Sequence, residues 1–194
     1  MIKALLELLA DLLTGWSTKE ALRQAGAPPD SLPGAAIIKL GLGSGFNREQ
    51  EEAQQRAEAV AFMRSQLGKG YQLGIEVPAG AEEESPMWDC SEFTEAAARV
   101  SGWSPALPDG AWQQYDVCRL VLAPKAGDLG FLWSDKRGMI GHVMMATGQG
   151  TVIHAVAGRG VVEDLDGQWA THPRWRGWRR PPCFPVGNDG QVAG

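Results

Sequence analysis

The sequence predicts an α+β fold in which helices pack on a small antiparallel β-sheet, with a helical extension at the N-terminus. Apolar residues with helical spacing fill the first half of the chain, whereas short apolar runs broken by glycine fill the second half. This order, helices first and strands afterwards, differs from the alternation expected of a doubly wound α/β fold. A chain of 194 residues suits one compact domain with a modest extra segment.

The helical extension is predicted over residues 1–45. Its first stretch carries a stripe of leucines at helical spacing: Leu5, Leu8, Leu9, Leu12 and Leu13. Ser17 and Glu20 have the spacing of a capping box, which predicts a second short helix. Because Glu7 and Asp11 interrupt the apolar run and no small-residue cleavage site follows it, we expect no export signal. The run is also too short to cross a membrane.

The main domain is predicted over residues 46–187, and residues 188–194 are predicted to be a disordered tail. The domain opens with a long helix that Asn47 caps and Gly68 stops. We expect the inner face of this helix to consist of Ala57, Val60, Ala61 and Met63. The polar loop over residues 79–85 contains three consecutive glutamates, which we interpret as solvated rather than as a cation site.

A second helix is predicted to begin at Asp89-Cys90-Ser91-Glu92 and to end before Gly102. Four short apolar runs then predict the strands of the antiparallel sheet: residues 130–133, 142–147, 151–157 and 161–162. The Trp/Arg cluster over residues 169–180 is interpreted as a final strand with ordinary packing. The alternative is a surface that binds sugars or anionic polymers, because aromatic rings stack on sugars and arginines pair with anions.

Charge and cysteine content narrow the function classes. A net charge of −5 argues against a nucleic-acid-binding protein, which needs a surplus of Lys and Arg. The three cysteines, at positions 90, 118 and 183, form no CxxC pair, so neither a structural zinc site nor a disulfide framework is expected. A single bridge between Cys118 and Cys183 remains open.

Cys90 is the candidate nucleophile. Asp89 and Glu92 have the spacing of a capping box, which places Cys90 in the first turn of its helix. At that position the backbone amides and the helix dipole favour the thiolate, the nucleophilic form of cysteine. The alternative is a buried, inert cysteine. A thiolate nucleophile also needs a neighbouring imidazole that accepts a proton and later returns it.

His142 and His154 lie in consecutive predicted strands. If the loop at 148–150 has an odd number of residues, Thr147 faces Thr151 and both histidines fall on one face of the sheet. They are then one diagonal apart, within about 8 Å at the backbone. In this arrangement His142 is the base, and His154 fixes the ring of His142 through a hydrogen bond. The alternative is that each is only a hydrogen-bonded histidine in a half-buried strand.

Six short motifs follow one another along the chain: Gly70-Tyr71-Gln72-Leu73-Gly74, Asp89-Cys90-Ser91, Leu107-Pro108, Ala126-Gly127-Asp128-Leu129, Gly141-His142-Val143 and Ile153-His154-Ala155. In wording and order they resemble the NlpC/P60 cysteine peptidases, a papain-like family that cuts the peptide stems of bacterial cell walls. The resemblance spans residues 47–185. It implies a papain-like NlpC/P60 fold with Cys90 as the nucleophile, His142 as the base and His154 as the third, orienting member.

The resemblance also implies a second group of site residues. The oxyanion would be met by the Cys90 backbone N–H with help near Tyr71. In family members that recognise a free amino terminus, residues flanking the cysteine help to hold it, and Tyr71, Asp89 and Ser91 match those positions. The alternative for these residues is capping and packing. Glu92 stands where the family usually has glycine, a departure that bears on substrate preference.

The resulting hypothesis is a peptidoglycan hydrolase, an endopeptidase or amidase that cleaves stem peptides through a Cys thioester and uses neither a metal nor an organic cofactor. One alternative is a thiol acyltransferase or amidase that acts on other acyl groups. Another is a non-catalytic module that binds the wall or builds a virion.

The expected location follows from the apparent lack of an export signal. We expect a protein made in the cytoplasm that reaches the wall after lysis, by injection or on a phage-like particle. Residues 1–45 would then contact phage or secretion-particle proteins. Neither nucleic acid nor stable membrane insertion is expected.

Overall fold

The computed structural model describes residues 42–185, with side chains from Arg48 onwards. The predicted leucine stripe, the Ser17/Glu20 capping box and the tail at 188–194 lie outside the described residues. By backbone contacts the chain divides into two compact units, Met1–Gln50 and Glu51–Gly194. The account that follows concerns the second unit and the helix that leads into it.

Short helices lie between some of the strands in the second half of the chain, where the sequence pattern predicted strands alone. The helices of the described part are α1 (Leu42–Ser65), α2 (Cys90–Val100), α3 (Ala111–Val117) and α4 (Asp166–Ala170). The strands are β1 (Gly70–Tyr71), β2 (Met87–Trp88), β3 (Arg119–Val121), β4 (Leu129–Ser134), β5 (Met139–Ala146), β6 (Thr151–Val156), β7 (Gly160–Leu165) and β8 (Trp175–Arg180). The short elements α3, β3 and α4 have too few residues to show a periodic pattern, so the sequence did not predict them.

Six strands form one antiparallel sheet in the order β3-β8-β4-β5-β6-β7, and β1 and β2 form a separate parallel pair. The helices pack on this sheet, which confirms the predicted α+β class. Strand β8, inserted between β3 and β4, confirms that Trp175–Arg180 is a strand. The Trp/Arg cluster therefore contributes to the interior, since Trp178 and Arg180 are buried.

Each face of the sheet packs into a different hydrophobic cluster. From His142 onwards, odd-numbered residues of β5 and β6, such as Val143 and Ile153, pack with apolar side chains of α1 and α2. Even-numbered residues, such as Met144 and Val152, pack with Trp178 on the opposite face. This alternation follows from the period of two in a β-strand, and it decides which face each histidine occupies.

Two predictions for α1 are wrong. The helix begins at Leu42, so Asn47 lies inside it and is not its N-cap. Its buried apolar residues are Ala59, Val60, Phe62 and Met63, whereas Ala57 and Ala61 are exposed. The inner face is turned relative to the prediction because Arg56 is itself buried, with 5% of its surface exposed.

Arg56 is buried because it belongs to an ion cluster inside the fold. Its Nη1 lies 3.1 Å from Asp128 Oδ1, and Arg180 Nη2 lies 2.9 Å from Asp128 Oδ2. Asp128 Oδ2 also accepts a hydrogen bond from the Lys125 backbone N–H at 2.9 Å. Asp128 and Arg180 are both fully buried, so the Gly127-Asp128 motif joins α1, β4 and β8 rather than serving the site.

The glutamate-rich loop is only partly solvated, so that interpretation is wrong for Glu82. Glu82 is buried, with 6% of its surface exposed, and accepts hydrogen bonds from the Gly80 N–H at 2.6 Å and from Arg99 Nε at 2.7 Å. A buried carboxylate needs such partners to offset the loss of water. The pair fastens the loop to the last turn of α2.

Candidate active site

Cys90 is the first residue of α2, as predicted. Asp89 is the N-cap in extended conformation, and its Oδ1 accepts a hydrogen bond from the Glu92 N–H at 2.8 Å. This side-chain acceptor satisfies one of the N–H groups that every helix leaves unpaired in its first turn. The Cys90 side chain lies at the end of the helix but is buried, with 6% of its surface exposed.

Burial raises the pKa of the Cys90 thiol to about 11. The backbone N–H of Val143 acts in the opposite direction, Asp89 raises the pKa further, and the N–H groups of Ser91 and Cys90 lower it. The amides of the first turn therefore act as predicted, but loss of water outweighs them. The predicted thiolate is wrong for the free protein, whose Cys90 is a protonated thiol at neutral pH.

This protonation state predicts slow alkylation. Because only the thiolate reacts, labelling of Cys90 by iodoacetamide is expected to be slow at pH 7 and to accelerate about tenfold per pH unit toward the pKa. Peptide mass spectrometry of pulse-labelled protein separates Cys90 from Cys118 and Cys183, whose thiol pKa values burial raises to about 12. Rapid labelling of Cys90 at pH 7 would contradict the raised pKa.

The hairpin of β5 and β6 has the predicted parity. Met145 faces Ile153 and Ala146 faces Val152, so the loop has three residues and Thr147 lies opposite Thr151. The Thr147 N–H donates to the Thr151 carbonyl at 3.0 Å, and the two hydroxyls lie 2.7 Å apart. An odd loop puts both histidines on one face, which confirms the geometric prediction.

The two histidine rings are in direct contact. His142 Nε2 lies 2.8 Å from His154 Nδ1, and the ring centroids are 5.1 Å apart. Trp169 of α4 covers the pair, with its ring 5.0 Å from that of His154 in an edge-on arrangement. His154 is fully buried, and His142 is half-buried. The hydrogen bond leaves Nδ1 as the ring nitrogen of His142 that can exchange a proton with another group.

Both histidines are neutral at pH 7. Burial lowers the pKa of His142 to about 3, and the neighbouring His154 adds to the decrease. Burial also lowers the pKa of His154, although a hydrogen bond to Asp164 acts in the opposite direction. A neutral imidazole is the form that can accept a proton, although a pKa of about 3 makes His142 a weak base in the free protein.

Cys90 meets the strand that carries His142 where the hairpin opens. The paired residues of β5 and β6 are Met145 with Ile153 and Ala146 with Val152. Toward His142 the pairing stops, and the backbone N–H of Val143 lies near enough to the Cys90 sulfur to lower the pKa of the thiol. Cys90 therefore adjoins Val143, the residue that follows His142, whereas a contact between the Cys90 thiol and the imidazole of His142 remains a prediction.

Tyr71 and Asp89 adjoin Cys90. The parallel pairing of β1 with β2 sets Tyr71 beside Trp88, two positions before Cys90. Burial raises the pKa of the Tyr71 hydroxyl, as do the nearby Cys90 and Asp89, whereas Arg137 lowers it. Asp89 Oδ2 accepts a hydrogen bond from the Gly74 N–H at 3.0 Å, which fixes the segment that follows Tyr71.

Ser91 and Glu92 serve the interior. The Ser91 hydroxyl donates to Asp89 Oδ1 at 3.1 Å. Asp89 and Ser91 thus contact each other at the start of α2, as the alternative prediction of capping and packing requires. Glu92 Oε1 accepts from Arg99 at 3.3 Å and from the Val77 N–H at 3.4 Å. Glu92 is 3% exposed, and burial raises its pKa to about 7. Substrate binding by Tyr71, Asp89 and Ser91 remains a prediction.

Sequence reasoning missed two residues behind the histidines. Asp164 Oδ2 of β7 lies 3.1 Å from His154 Nε2. Arg159 contacts both oxygens of Asp164, with Nη1 at 2.8 Å and Nη2 at 2.7 Å. The signal was present in the alternation of β7, which puts Asp164 on the same face as Val162, the residue opposite His154.

Two further findings concern only residues 42–185. Within this range, no group of His, Cys, Asp and Glu side chains is arranged to hold a metal ion. None of the helices in the same range is both long enough and apolar enough to cross a membrane.

The NlpC/P60 family model matches residues 68–179, which include Cys90, His142 and His154. The chain belongs to the NlpC/P60 family. A search of curated proteins finds no match.

Solved structures of this family share the fold. The peptidoglycan hydrolase RipB from Mycobacterium tuberculosis is 19% identical with a TM-score of 0.53, over 92% of this chain and 80% of RipB. The P60 domain of an antigen from M. avium subspecies paratuberculosis is 21% identical with a TM-score of 0.52, over 69% of this chain and 98% of that domain. NlpC1 from Trichomonas vaginalis is 22% identical with a TM-score of 0.51, over 66% of this chain. The match spans only 44% of NlpC1.

Proposed function

We propose that the protein is a cysteine hydrolase that cleaves peptide (amide) bonds in the stem peptides of bacterial peptidoglycan. The observation that carries this proposal is the 2.8 Å contact between His142 Nε2 and His154 Nδ1, at the end of the hairpin that receives Cys90. Membership of the NlpC/P60 family supports it, as does the likeness of the fold to RipB, which is named as a peptidoglycan hydrolase.

In the first step the Cys90 sulfur attacks the carbonyl carbon of the scissile amide while His142 Nδ1 accepts the thiol proton. Proton transfer must accompany the attack, because the resting pair is a neutral thiol and a neutral imidazole. The new C–S bond displaces the π electrons of the carbonyl onto its oxygen. The His142 cation then donates its proton to the amide nitrogen, the C–N bond breaks, and a thioester remains.

In the second step water replaces the sulfur. His142 Nδ1 removes a proton from the water molecule, whose oxygen attacks the thioester carbon. The C–S bond breaks, the carboxylic acid leaves, and the sulfur recovers the proton held by His142. The two steps together consume one water and return Cys90 and His142 to their starting states.

The oxyanion that forms in both steps requires hydrogen-bond donors. The Cys90 backbone N–H begins α2 and has no acceptor four residues earlier within the helix. Tyr71 is a second donor, because burial and the neighbouring Cys90 raise the pKa of its hydroxyl and keep it protonated. Two donors that converge on the carbonyl oxygen stabilise the negative charge as it develops.

The test is mass spectrometry of soluble fragments released from purified peptidoglycan by the wild type and by Cys90→Ala. We expect the wild type to release peptide-cleaved fragments and the variant to release none, since no other group replaces the thiol. Cys183→Ala is the matched control, because Cys183 is the half-buried cysteine that follows β8 and lies outside the site.

Two results would contradict the proposal. Equal release by the wild type and Cys90→Ala would mean that Cys90 is not the nucleophile. No release by either protein on several wall chemistries would favour acyl transfer to another substrate, or a wall-binding module without turnover.

A further inference from the structure

We propose that Asp164, held by Arg159, is a positioning residue that sets the tautomer of His154 and thereby leaves Nδ1 of His142 free of a proton. The catalytic consequence rests on the proposed function. The tautomers of His142 and His154 do not depend on the proposed function, so they can be tested on the protein without substrate.

Asp164 and the two histidines form a diagonal row across three neighbouring strands. His154 of β6 faces Val162 of β7, and Asp164 lies two residues further along the same face. His142 is displaced by two residues in the same manner across the β5–β6 pair, where Met145 faces Ile153. Side chains on one diagonal of a sheet are close enough to contact one another, and here they form a continuous chain of hydrogen bonds.

The direction of each hydrogen bond follows from the carboxylate. An ionised Asp164 can only accept, so Nε2 of His154 must carry the proton in their 3.1 Å contact. Nδ1 of a neutral His154 is then an acceptor, and Nε2 of His142 must donate to it. A neutral imidazole has one N–H, so Nδ1 of His142 holds the lone pair that a base requires.

Arg159 keeps Asp164 ionised and fixed. Its guanidinium contacts both carboxylate oxygens, and this bidentate hydrogen bonding is the main reason why the pKa of Asp164 is lowered. Glycines at positions 158 and 160 adopt φ angles of 78° and 74° around Arg159, a turn that only glycine enters without strain. The Asp164 side chain is 11% exposed beneath Arg159, which is 50% exposed.

Without the carboxylate, the opposite tautomers become available to the pair. If Nδ1 of His154 carries the proton, it donates to Nε2 of His142, and the proton of His142 moves to Nδ1. The nitrogen needed by the thiol is then occupied. In Ser-His-Asp proteases, an amide in place of the carboxylate that holds the catalytic imidazole lowers kcat by about 10⁴-fold for this reason.

The first test is a two-bond ¹H–¹⁵N correlation spectrum of protein labelled with ¹⁵N-histidine. The sequence has three histidines, so His172→Gln in the background leaves the two signals of interest. We expect both His142 and His154 to be protonated at Nε2 at pH 7.5. In Asp164→Asn, whose amide group can donate to His154 Nε2, we expect both rings to move toward the Nδ1–H form.

The second test is kinetic. We expect Asp164→Asn to lower kcat for peptidoglycan cleavage by about 10–100-fold, the range seen when a partner that orients a functional histidine is lost. KM should stay within about twofold, because Asp164 does not touch the substrate. Asp164→Glu, which keeps an acceptor, should recover part of the loss. Glu163→Gln is the matched control on the other face of β7, where Glu163 contacts Arg64 and Thr151.

The outcomes are decisive in either direction. A wild-type spectrum with the proton of His142 on Nδ1 overturns the proposal, whatever the variants do. Unchanged tautomers in Asp164→Asn, or changed tautomers with an unchanged kcat, overturn it as well. If the wild type shows the expected tautomers but cleaves no peptidoglycan, the proposed function fails and the relay from Asp164 stands.

Discussion

We expect His142→Gln to lower kcat for peptidoglycan cleavage by about 10²–10⁴-fold, the contribution of a positioned general acid and base. Burial raises the pKa of the Cys90 thiol to about 11, so the sulfur cannot attack at neutral pH unless another group takes its proton. Glutamine keeps a polar planar end in place of the ring but cannot accept that proton. Initial rates of fragment release, measured by mass spectrometry, provide the comparison.

His172→Gln is the matched control for this substitution. His172 follows α4, and its Nδ1 accepts a hydrogen bond from the Arg174 N–H at 3.1 Å; its ring lies 6.0 Å from that of Trp169 and has no ring contact with His142 or His154 among the described residues. We expect this control to keep the wild-type rate. A His142→Gln variant that folds normally and retains more than about a tenth of the wild-type rate would contradict the assignment of His142 as the base.

The core of the site was predictable because its geometry depends on local rules. The parity of the loop between β5 and β6 decides whether His142 and His154 share a face, and a loop of three residues between Thr147 and Thr151 could be anticipated from its glycines. The place of Cys90 in the first turn of α2 likewise follows from the capping residue that precedes it. Neither argument requires knowledge of the tertiary fold.

The protonation state of Cys90 was not predictable in the same way. The amides of the first turn are a local effect and were anticipated, but burial depends on how α2 packs against the sheet. The free energy lost when a charge leaves water exceeds what a few amides supply. The position of Cys90 at a helix start therefore predicts that the amides lower the pKa of its thiol. It does not predict whether the total shift of the pKa is upward or downward.

Asp164 and Arg56 were missed for a common reason. Each is a charged residue whose partner is distant in the sequence or lies on another strand, and hydrophobic periodicity does not register a buried charge. Arg56 even shifted the apparent inner face of α1, since the exposed Ala57 and Ala61 fit the apolar pattern better. Long-range ion pairs can be recognised only when the sheet order is known.

The buried ion cluster predicts the largest loss of stability. We expect Asp128→Asn to lower the free energy of unfolding by about 3–5 kcal/mol, because it removes the buried carboxylate that contacts both Arg56 and Arg180. Arg180 and Asp128 are both fully buried, so water cannot replace the lost partner without rearrangement of β8. Urea denaturation followed by tryptophan fluorescence measures the difference at a single pH.

Asp135→Asn is the control for Asp128→Asn, because it breaks an ion pair that is exposed rather than buried. Asp135 pairs with Arg174 at 2.7 Å, a shorter distance than either contact of Asp128, but the two side chains are 63% and 53% exposed. An exposed pair contributes about 0–1 kcal/mol, so this control should leave the unfolding curve nearly unchanged. If both substitutions had the same small effect, water would have to reach Arg56 and Arg180 in the native protein. Asp128 would then not be the residue that joins α1 to β8, and the Gly127-Asp128 motif would need another explanation.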